Sequence, residues 1–423
     1  MYPNAYLTRD LPGLGGVIKS VPEDFVVHEI PLYEPEGVGE HVYVQIEKRG
    51  LTTFEAVARF ARALRISDHL IGYAGLKDSR AVTRQMLSIH NVDTARVEKL
   101  RIPQIRILSV SRHTNKLRTG HLFGNRFIIT VREADPEAYE RAEPILRYLE
   151  DRGMPNAFGV QRFGSRRDAH RIGRALCFDD PKVAVDRIIG NPSPLEHNTG
   201  VLQGRRMYEK GDLEGALQKF PAMYRVERAL LRGLLESGGR YDEAVTKIDK
   251  KMRRLYIAAF QSHLFNMTLW RRIDEFDVLM PGDLAYKHAN GSVFPVEEHG
   301  ELSPDALEER RRAFDISPSG PLHGYKMVHP IGRPRFFEDE VLRDEGLEPE
   351  DLLQPMRNVR VKGERRALRV PVREVTIERG EDDTSIVVGF VLPRGCYATI
   401  LLREVMKTGD DNIVHEGESY RGG

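Results

Sequence analysis

An aspartate that follows an apolar run is the residue of this sequence best suited to chemistry. Asp78 lies in the stretch GYAGLKDSRAVTRQ (Gly72–Gln85), where Tyr73, Ala74 and Leu76 predict a short buried strand. Its basic neighbours are Lys77, Arg80 and Arg84. Because nearby positive charge favours the ionised form of a carboxyl group, we expect Asp78 to be charged. An ionised carboxylate held at a strand end could act as a nucleophile.

Two interpretations of Asp78 are open at this point. An aspartate beside a serine commonly closes a turn by bonding to its own backbone, and composition alone favours that role. The nucleophile interpretation needs other residues that would hold a substrate against the carboxylate.

Five motifs resemble, in their order along the chain, the signatures of the TruD family of tRNA pseudouridine synthases. One of them is the stretch around Asp78, and the resemblance implies that this aspartate is the catalytic nucleophile. The other four are IKSVPEDFVVHE (Ile18–Glu29), GNRFIITVR (Gly124–Arg132), NAFGVQRFG (Asn156–Gly164) and FVLPRGCYATILLREVMK (Phe390–Lys407). The motifs span nearly the whole chain, and they depart from the usual pattern at Ala157 and Cys396.

The resemblance assigns five more residues to the active site. Lys19 would pair with the nucleophile and keep its carboxylate ionised and oriented. Asn125 would read the edge of an extruded base, and aromatic rings would line the uridine pocket. These rings are Phe25, Phe127 and Phe390. Taken alone, the lysine could be a strand-edge residue, the asparagine a turn residue and the phenylalanines core residues.

Composition describes a globular protein and argues against several other classes. The chain has 423 residues, of which 40% are hydrophobic and 30% charged, enough for two or three domains. No apolar run reaches the roughly 18 residues of a membrane helix, and the first residues lack a signal-peptide pattern. The two cysteines, Cys177 and Cys396, have no metal-type spacing. We therefore expect a cytoplasmic protein that binds no membrane.

The sequence predicts neither a metal nor a cofactor site. The 14 histidines include no H-x-x-x-H pair, and there is no P-loop or dinucleotide fingerprint. We expect structural or surface roles for the four histidines His28, His41, His263 and His329. The cofactor-free isomerase that the resemblance implies is consistent with this.

Three basic clusters predict a polyanionic partner, although the formal net charge is only +1. They are Arg162–Arg174, Lys250–Arg254 and Arg357–Arg373. Positive stripes on a neutral protein suit a phosphate backbone, whereas any single cluster could be solvated surface. The expected phosphate contacts are Arg162, Arg365 and Arg366. The resemblance also places Arg162 in a motif that looks like the hinge between two domains, so it could instead brace that hinge. The resemblance makes tRNA the partner; no protein partner is evident, so we expect a monomer.

Hydrophobic periodicity predicts an α+β fold. The predicted strands of the first part are Gly16–Ile30, Val42–Ile46, Ile105–Val110 and Phe127–Val131. A capping box at Thr52 and Glu55 predicts a helix after the second of these strands. The strands and helices do not alternate regularly, as they would in a doubly wound fold. Helices then dominate, at Pro181–Ile189, Leu213–Gln218, Val226–Leu235, Met252–Ile273 and Ser303–Phe314. Strand patterns return at Leu368–Ile377, Ser385–Val391 and Ala398–Leu402.

The resemblance implies a discontinuous, antiparallel-sheet pseudouridine synthase core interrupted by an inserted α/β (TRUD) domain. We expect the catalytic domain over residues 1–155 and 366–410, the TRUD domain over 156–365 and a flexible tail over 411–423. The insertion looks longer than in bacterial members of the family, and in this respect the chain resembles the archaeal or eukaryotic branch.

The resemblance thus predicts an isomerase that converts the uridine at position 13 of tRNA, in the D arm, to pseudouridine. Whether Asp78 attacks the base or the sugar stays open. Two alternatives also stay open: a non-catalytic RNA-binding protein, and a pseudouridine synthase that acts on other RNAs. The joint presence of Lys19, Asp78, Asn125 and Phe390 favours catalysis, because a binding protein needs no nucleophile.

Overall fold

The computed structural model describes residues 6–297 and 302–408, and the chain divides into two units. Residues 6–154 and 370–408 form what we call the split unit, and residues 155–369 form the inserted unit. The tail expected over 411–423 lies outside the described residues.

The first part of the split unit is mainly strands, with three helices. Its elements are β1 (Gly15–Val17), β2 (Phe25–Pro31), β3 (His41–Arg49), α1 (Thr53–Leu64), β4 (Ile71–Tyr73), β5 (Val82–His90), α2 (Thr94–Glu98), β6 (Ile105–His113), β7 (Leu122–Ala134), α3 (Ala138–Arg152) and β8 (Met154–Pro155). The strand predicted over Gly16–Ile30 is interrupted by a 3₁₀ turn at Pro22–Asp24. Asp24 holds this turn by accepting a hydrogen bond from the Val21 backbone N–H at 3.0 Å.

The inserted unit is rich in helices and has a small sheet. Its elements are α4 (Ala169–Cys177), α5 (Pro181–Ile189), α6 (Thr199–Glu209), α7 (Leu213–Lys219), α8 (Arg225–Glu236), α9 (Tyr241–Val245), α10 (Lys250–Arg271), β9 (Leu284–Lys287), β10 (Val293–Pro295), α11 (Pro304–Arg312), β11 (Ile316–Leu322), α12 (Gly332–Asp344), α13 (Leu353–Asn358), β12 (Glu364–Ala367) and β13 (Arg369–Val370). Four of its strands form an antiparallel sheet in the order β10-β9-β11-β12. The five helices predicted in this region are confirmed, whereas the sequence patterns did not predict α4, α6 or α12.

The chain ends its described part with β14 (Arg373–Arg379), β15 (Ile386–Pro393) and α14 (Ala398–Met406). The strand predicted at Ala398–Leu402 is wrong, because these residues are helical. All nine residues of α14 are buried, so no face of the helix is exposed to solvent. Periodicity cannot separate such a helix from a buried strand.

Nine strands of the split unit form one sheet. Its order is β14-β15-β7-β2-β5-β3-β6, with β1 paired to β7 and β4 paired to β5. The β2–β5 pair is parallel and the other pairs are antiparallel. Since β15 follows the insertion and β7 precedes it, the two parts of the split unit share one sheet. This confirms the α+β class.

Helix α1 covers the β3–β5 region of the sheet and fixes the chain near Asp78. Its capping box is confirmed: the Glu55 N–H donates to Thr52 Oγ1 at 3.1 Å, and the Thr52 N–H donates to Glu55 Oε2 at 2.8 Å. Phe60 and Leu64 pack into the core with residues of β3 and β5. Burying a side chain of this kind stabilises the fold by about 1.5–3 kcal/mol.

Candidate active site

Asp78 lies in the connection between β4 and β5. The predicted strand through Leu76 is wrong: β4 ends at Tyr73, and Leu76 is 46% exposed. The register gives the reason, because β4 pairs only with Leu87–Ile89 of β5, while β2 occupies the same edge at Val82–Arg84. The chain must therefore leave the sheet after Tyr73, and Asp78 lies in the connection that returns it to β5.

The connection that carries Asp78 is closed by side-chain-to-backbone hydrogen bonds. Asp78 Oδ1 accepts the Arg80 N–H at 3.0 Å, which is the turn-closing role that composition favours. The Lys77 N–H donates to Thr53 Oγ1 at 2.9 Å, so the first residue of α1 holds the other side of the turn. One carboxylate oxygen thus orients Asp78, and the second is directed to a cation.

That cation is Lys19. Its Nζ donates to Asp78 Oδ2, and the two side chains are 5% and 16% exposed. The backbone of Lys19 has φ +60°, a left-handed conformation that costs a non-glycine residue about 1 kcal/mol or more. Its Nζ also lies 4.5 Å from the centroid of the Phe25 ring. The ion pair and the aromatic face together define where the ammonium group sits.

Lys48 supports the Asp78 turn from inside the fold. Its side chain is fully buried, and its Nζ donates to the main-chain oxygens of Leu51 and Asp78, the latter at 3.0 Å. Burial lowers the pKa of Lys48 to about 8, against an opposing attraction from Asp78. An ammonium group in this position holds the turn and adds positive charge beneath the carboxylate.

A second charged group orients Asn125. The Nζ of Lys77 lies 2.9 Å from Glu29 Oε2 and donates to Asn125 Oδ1 at 2.5 Å. Glu29 is fixed in turn by the Met86 N–H, which donates to its Oε1 at 3.1 Å. Because Lys77 occupies the amide oxygen, the NH₂ group of Asn125 is the part that remains to face a ligand.

Three phenylalanines on neighbouring strands form an aromatic row beside Lys19. The rings of Phe127 and Phe390 stack at a centroid distance of 5.3 Å, and Phe25 meets Phe127 edge-on at 6.1 Å. The register explains the row, because Phe390 of β15 lies directly opposite Phe127 of β7. Asn125 precedes Phe127 by two residues and so shares its face of the strand. Phe390 is only 1% exposed and packs behind Phe127.

The structure therefore brings together the six residues that the resemblance assigns to catalysis and to the base. They are Lys19, Phe25, Asp78, Asn125, Phe127 and Phe390. The arrangement offers a partly exposed carboxylate, an amide donor and three buried aromatic rings beside them. Such a set suits nucleophilic attack on an uncharged heterocycle or on the sugar that carries it.

Sequence reasoning missed Glu29, Lys48 and Lys77, although a signal for two of them was present. Glu29 follows Phe25 and Val27 at alternate positions of β2, and all three are buried. Lys48 continues the buried series Val42, Val44 and Ile46 of β3 in the same way. A charged residue at a core-facing strand position costs free energy unless it is paired, so it indicates a buried polar network.

The arginines expected to contact phosphate are engaged inside the inserted unit. Arg365 is 4% exposed at its side chain and forms an ion pair with Glu338 at 2.7 Å, which argues against a phosphate contact. Arg366 donates to the Asn156 backbone oxygen at 3.1 Å and lies 4.3 Å from the Phe158 ring centroid. Arg162 is half-buried and donates to Ser262 Oγ at 3.1 Å. A run of basic letters does not show which guanidinium groups the fold uses internally.

The basic clusters nevertheless contain exposed residues. These are Arg171 of the first cluster, Lys250, Lys251 and Arg254 of the second, and Arg357, Arg360, Lys362 and Arg373 of the third. Among the described residues, no helix combines the length and the apolar character needed to cross a membrane.

The α+β fold is the one that the resemblance implies for a pseudouridine synthase. The family model described as tRNA pseudouridine synthase D (TruD) matches residues 3–405. The chain therefore belongs to the tRNA pseudouridine synthase D family.

Individual relatives match along nearly their whole length. The tRNA pseudouridine synthase D of Geobacter metallireducens is 45% identical over 406 residues, which is 96% of this chain and 98% of that protein. The probable tRNA pseudouridine synthase D of Thermococcus onnurineus is 36% identical, over 94% of this chain and 96% of its own. The crystal structure of the putative tRNA pseudouridine synthase D from Methanosarcina mazei superposes with a TM-score of 0.83, at 29% identity, and covers 96% and 97% of the two chains.

Proposed function

We propose that this protein isomerises a uridine of tRNA to pseudouridine, and that its target is the uridine at position 13 in the D arm. The observation that carries the proposal is the Lys19–Asp78 ion pair beside the aromatic row. Membership of the tRNA pseudouridine synthase D family supports tRNA as the substrate.

Asp78 is the nucleophile in this proposal. Lys19 on one carboxylate oxygen and the Arg80 N–H on the other favour the charged form of the group and fix its direction. Attack on the base and attack on the sugar both require the charged carboxylate, and the choice between these two routes stays open. The hydrogen bond from the Lys48 ammonium group to the Asp78 main-chain oxygen keeps the turn in place while the reaction proceeds.

The isomerisation exchanges one bond of the sugar for another. The bond from C1′ to N1 of the uracil breaks, the base turns, and a bond from C1′ to C5 forms. A proton leaves C5 and N1 gains one, so no oxidant, reductant or second substrate is needed. The detached base must stay in place between these steps, which is a matter of confinement and orientation.

Asn125 and the aromatic row supply that confinement. With its oxygen held by Lys77, the Asn125 NH₂ group can donate to a carbonyl oxygen of uracil. When the acceptor is O4, the same donor would discriminate against cytosine, which presents an amino group at that position. Stacking on an aromatic ring contributes about 1–3 kcal/mol per base, which helps to offset the cost of extruding the uridine. Phe25 and Phe127 are buried, at 5% and 7% exposure, but slightly less so than Phe390 at 1%, which supports them.

The inserted unit is proposed as the TRUD domain, with its ends near residues 155 and 369. Its exposed basic residues, rather than Arg365 and Arg366, would contact tRNA phosphates, and Arg162 would brace the unit through Ser262. A monomer in the cytoplasm, without a protein partner or a cofactor, and similarity to the archaeal or eukaryotic branch remain predictions.

The test is to map pseudouridine in unmodified tRNA transcripts after incubation with the full chain. We expect one modified uridine, at position 13, and none in a transcript that carries cytidine there. Asp78→Asn should abolish the modification, whereas Asp68→Asn, a change at an exposed aspartate of the same unit, should leave it intact.

Other outcomes would favour the alternatives. Tight tRNA binding without modification would support a non-catalytic RNA-binding protein. Equal modification of unrelated RNAs would support a broader synthase. Activity of the Asp78→Asn variant within tenfold of the wild type would exclude Asp78 as the nucleophile.

A further inference from the structure

Two histidines and a glutamate meet at the end of the large sheet where β3 begins and β5 ends. His41, the first residue of β3, lies directly opposite His90, the last residue of β5. One ligand atom from each of Glu40, His41 and His90 lies within 4.8 Å of the other two. Among the described residues, this is the group of His, Cys, Asp and Glu side chains whose spacing could hold a metal ion.

The two imidazole rings have unsatisfied nitrogens. The Nδ1 atoms of His41 and His90 are both buried and have no hydrogen-bond partner among the described residues. The ring centroids are 4.8 Å apart, and His41 is 8% exposed. Buried nitrogen atoms nearly always have a partner, so two adjacent exceptions indicate that something else binds them.

Imidazole nitrogens bind metals through a lone pair, and histidine is the commonest metal ligand among the side chains.

We propose that Glu40, His41 and His90 form a binding site for a divalent transition-metal ion, with Zn²⁺ as the ion that fits best. Two imidazole nitrogens and one carboxylate oxygen are a ligand set that zinc accepts, with bonds of about 2.0–2.2 Å. Mg²⁺ and Ca²⁺ prefer sites built from oxygen. Glu40 is exposed and His90 half-buried, so small side-chain rotations can close the site and water can complete it. The positive charge of Lys116, which acts on His41, opposes the binding of a cation.

The site would stabilise the fold and take no part in catalysis. His41 and Lys48 lie at opposite ends of β3, about 23 Å apart at roughly 3.3 Å per residue. Lys48 supports Asp78, so a metal ion at His41 is remote from the reaction. The ion would join the ends of β3 and β5. A search for H-x-x-x-H spacing cannot find it, because its histidines lie on different strands.

Calorimetric titration of the chelator-treated full chain with ZnCl₂ tests the proposal. We expect one Zn²⁺ per chain with a Kd of about 1 µM or tighter, and a melting temperature that rises with added Zn²⁺ as mass action requires. Glu40→Gln and His90→Gln should each weaken binding at least tenfold. Glu36→Gln and His69→Asn, changes at exposed residues of the same unit, are the matched controls and should bind as the wild type does.

Pseudouridine formation should be the same with and without Zn²⁺, in the wild type and in Glu40→Gln. Binding weaker than about 100 µM in the wild type would overturn the proposal. So would binding that both Glu40→Gln and His90→Gln retain, or binding that Glu36→Gln removes, since the ion would then lie on Glu36 and His113.

Discussion

The two units bury charged side chains in different ways. In the inserted unit, three buried arginines each have a carboxylate of their own: Arg365 with Glu338 at 2.7 Å, Arg205 with Glu196 at 2.6 Å and Arg272 with Asp283 at 2.6 Å. Around Asp78 in the split unit, three buried lysines accompany only two carboxylates. Lys19 pairs with Asp78 and Lys77 with Glu29, whereas Lys48 donates to the main-chain oxygen of Asp78.

This difference separates charges that hold a fold from charges that act on a ligand. A matched pair leaves little for a ligand to bind, and its partners are nearly inaccessible, as the 1% exposure of the Asp283 side chain illustrates. The lysine-rich group has an excess of positive charge and a carboxylate that is 16% exposed. Unbalanced, partly accessible charges of this kind are typical of functional sites.

The largest expected effect comes from removing one carboxylate in each unit. Asp78→Asn should abolish pseudouridine formation, because an amide is no nucleophile, and leave tRNA affinity nearly unchanged. It should cost less stability than Asp283→Asn, because the Asp78 side chain is 16% exposed and water reaches it. Asp283→Asn should instead lower the free energy of unfolding by about 3–5 kcal/mol, because Arg272 stays buried without its charge partner. Single-turnover assays and denaturant unfolding on both variants measure the two effects.

The opposite pattern would remove the distinction between the units. Loss of activity in folded Asp283→Asn would mean that matched pairs also serve the reaction. A large loss of stability in Asp78→Asn would mean that the lysine-rich group is mainly structural.

Two buried phenylalanines extend the comparison. Phe390 in the split unit and Phe265 in the inserted unit are 1% and 0% exposed, so truncating either to alanine should cost about 3–5 kcal/mol of stability. Only Phe390→Ala should also slow the folded enzyme, by about 10- to 100-fold, because Phe127 loses the ring on which it stacks.

The measurement is single-turnover kinetics below the unfolding transition, beside denaturant unfolding. If the folded fraction of Phe390→Ala reacts at the wild-type rate, Phe390 is a core residue only. If Phe265→Ala slows the reaction equally, the effect is a general loss of packing.

Elements with a local signal could be predicted from the sequence. The capping box of α1 and the alternation of β3 depend on neighbours in the chain, and both are confirmed. The end of β4 at Tyr73 could not be predicted, because it depends on β2 occupying the same edge of β5. The helix α14 carries no pattern, since it is buried on all sides.

The candidate site divides in the same way. Motifs identified Asp78 and Lys19, and the strand registers bring them next to the aromatic row. Glu29 and Lys48 could have been found by asking on which face of its strand each charged residue lies. The partner of Arg365 could not be predicted, because Glu338 lies 27 residues away on another element.

Lys48 should make stability depend on pH. Its pKa in the folded protein is about 8, against 10.5 without burial, so the unfolded chain binds more protons between these values. The free energy of unfolding therefore rises with pH across this window, and this residue contributes on the order of 3 kcal/mol to the rise. The cost of burying the charged lysine is fully present below pH 8. Lys48→Met should flatten this rise, which denaturant unfolding at pH 7.5 and pH 10 measures. An identical rise in both proteins would assign the pH dependence to other groups.

The smallest expected effect concerns the exposed basic residues of the inserted unit. Arg357 and Arg360 are exposed, whereas Arg365 is held by Glu338, so only the first two are available to a phosphate. Replacing both by alanine should reduce the slope of log affinity for tRNA against log salt by about 0.7–0.9 for each phosphate that the two arginines neutralise. Arg365→Gln is the matched control: stability should fall, because Glu338 stays buried without its partner, and the slope should not change. Turnover of bound tRNA should be the same in both variants, because none of these arginines belongs to the group proposed to act on the uridine. A changed slope in Arg365→Gln alone would show that the guanidinium leaves its ion pair to meet the RNA, and the contrast between the units would then fail at this arginine.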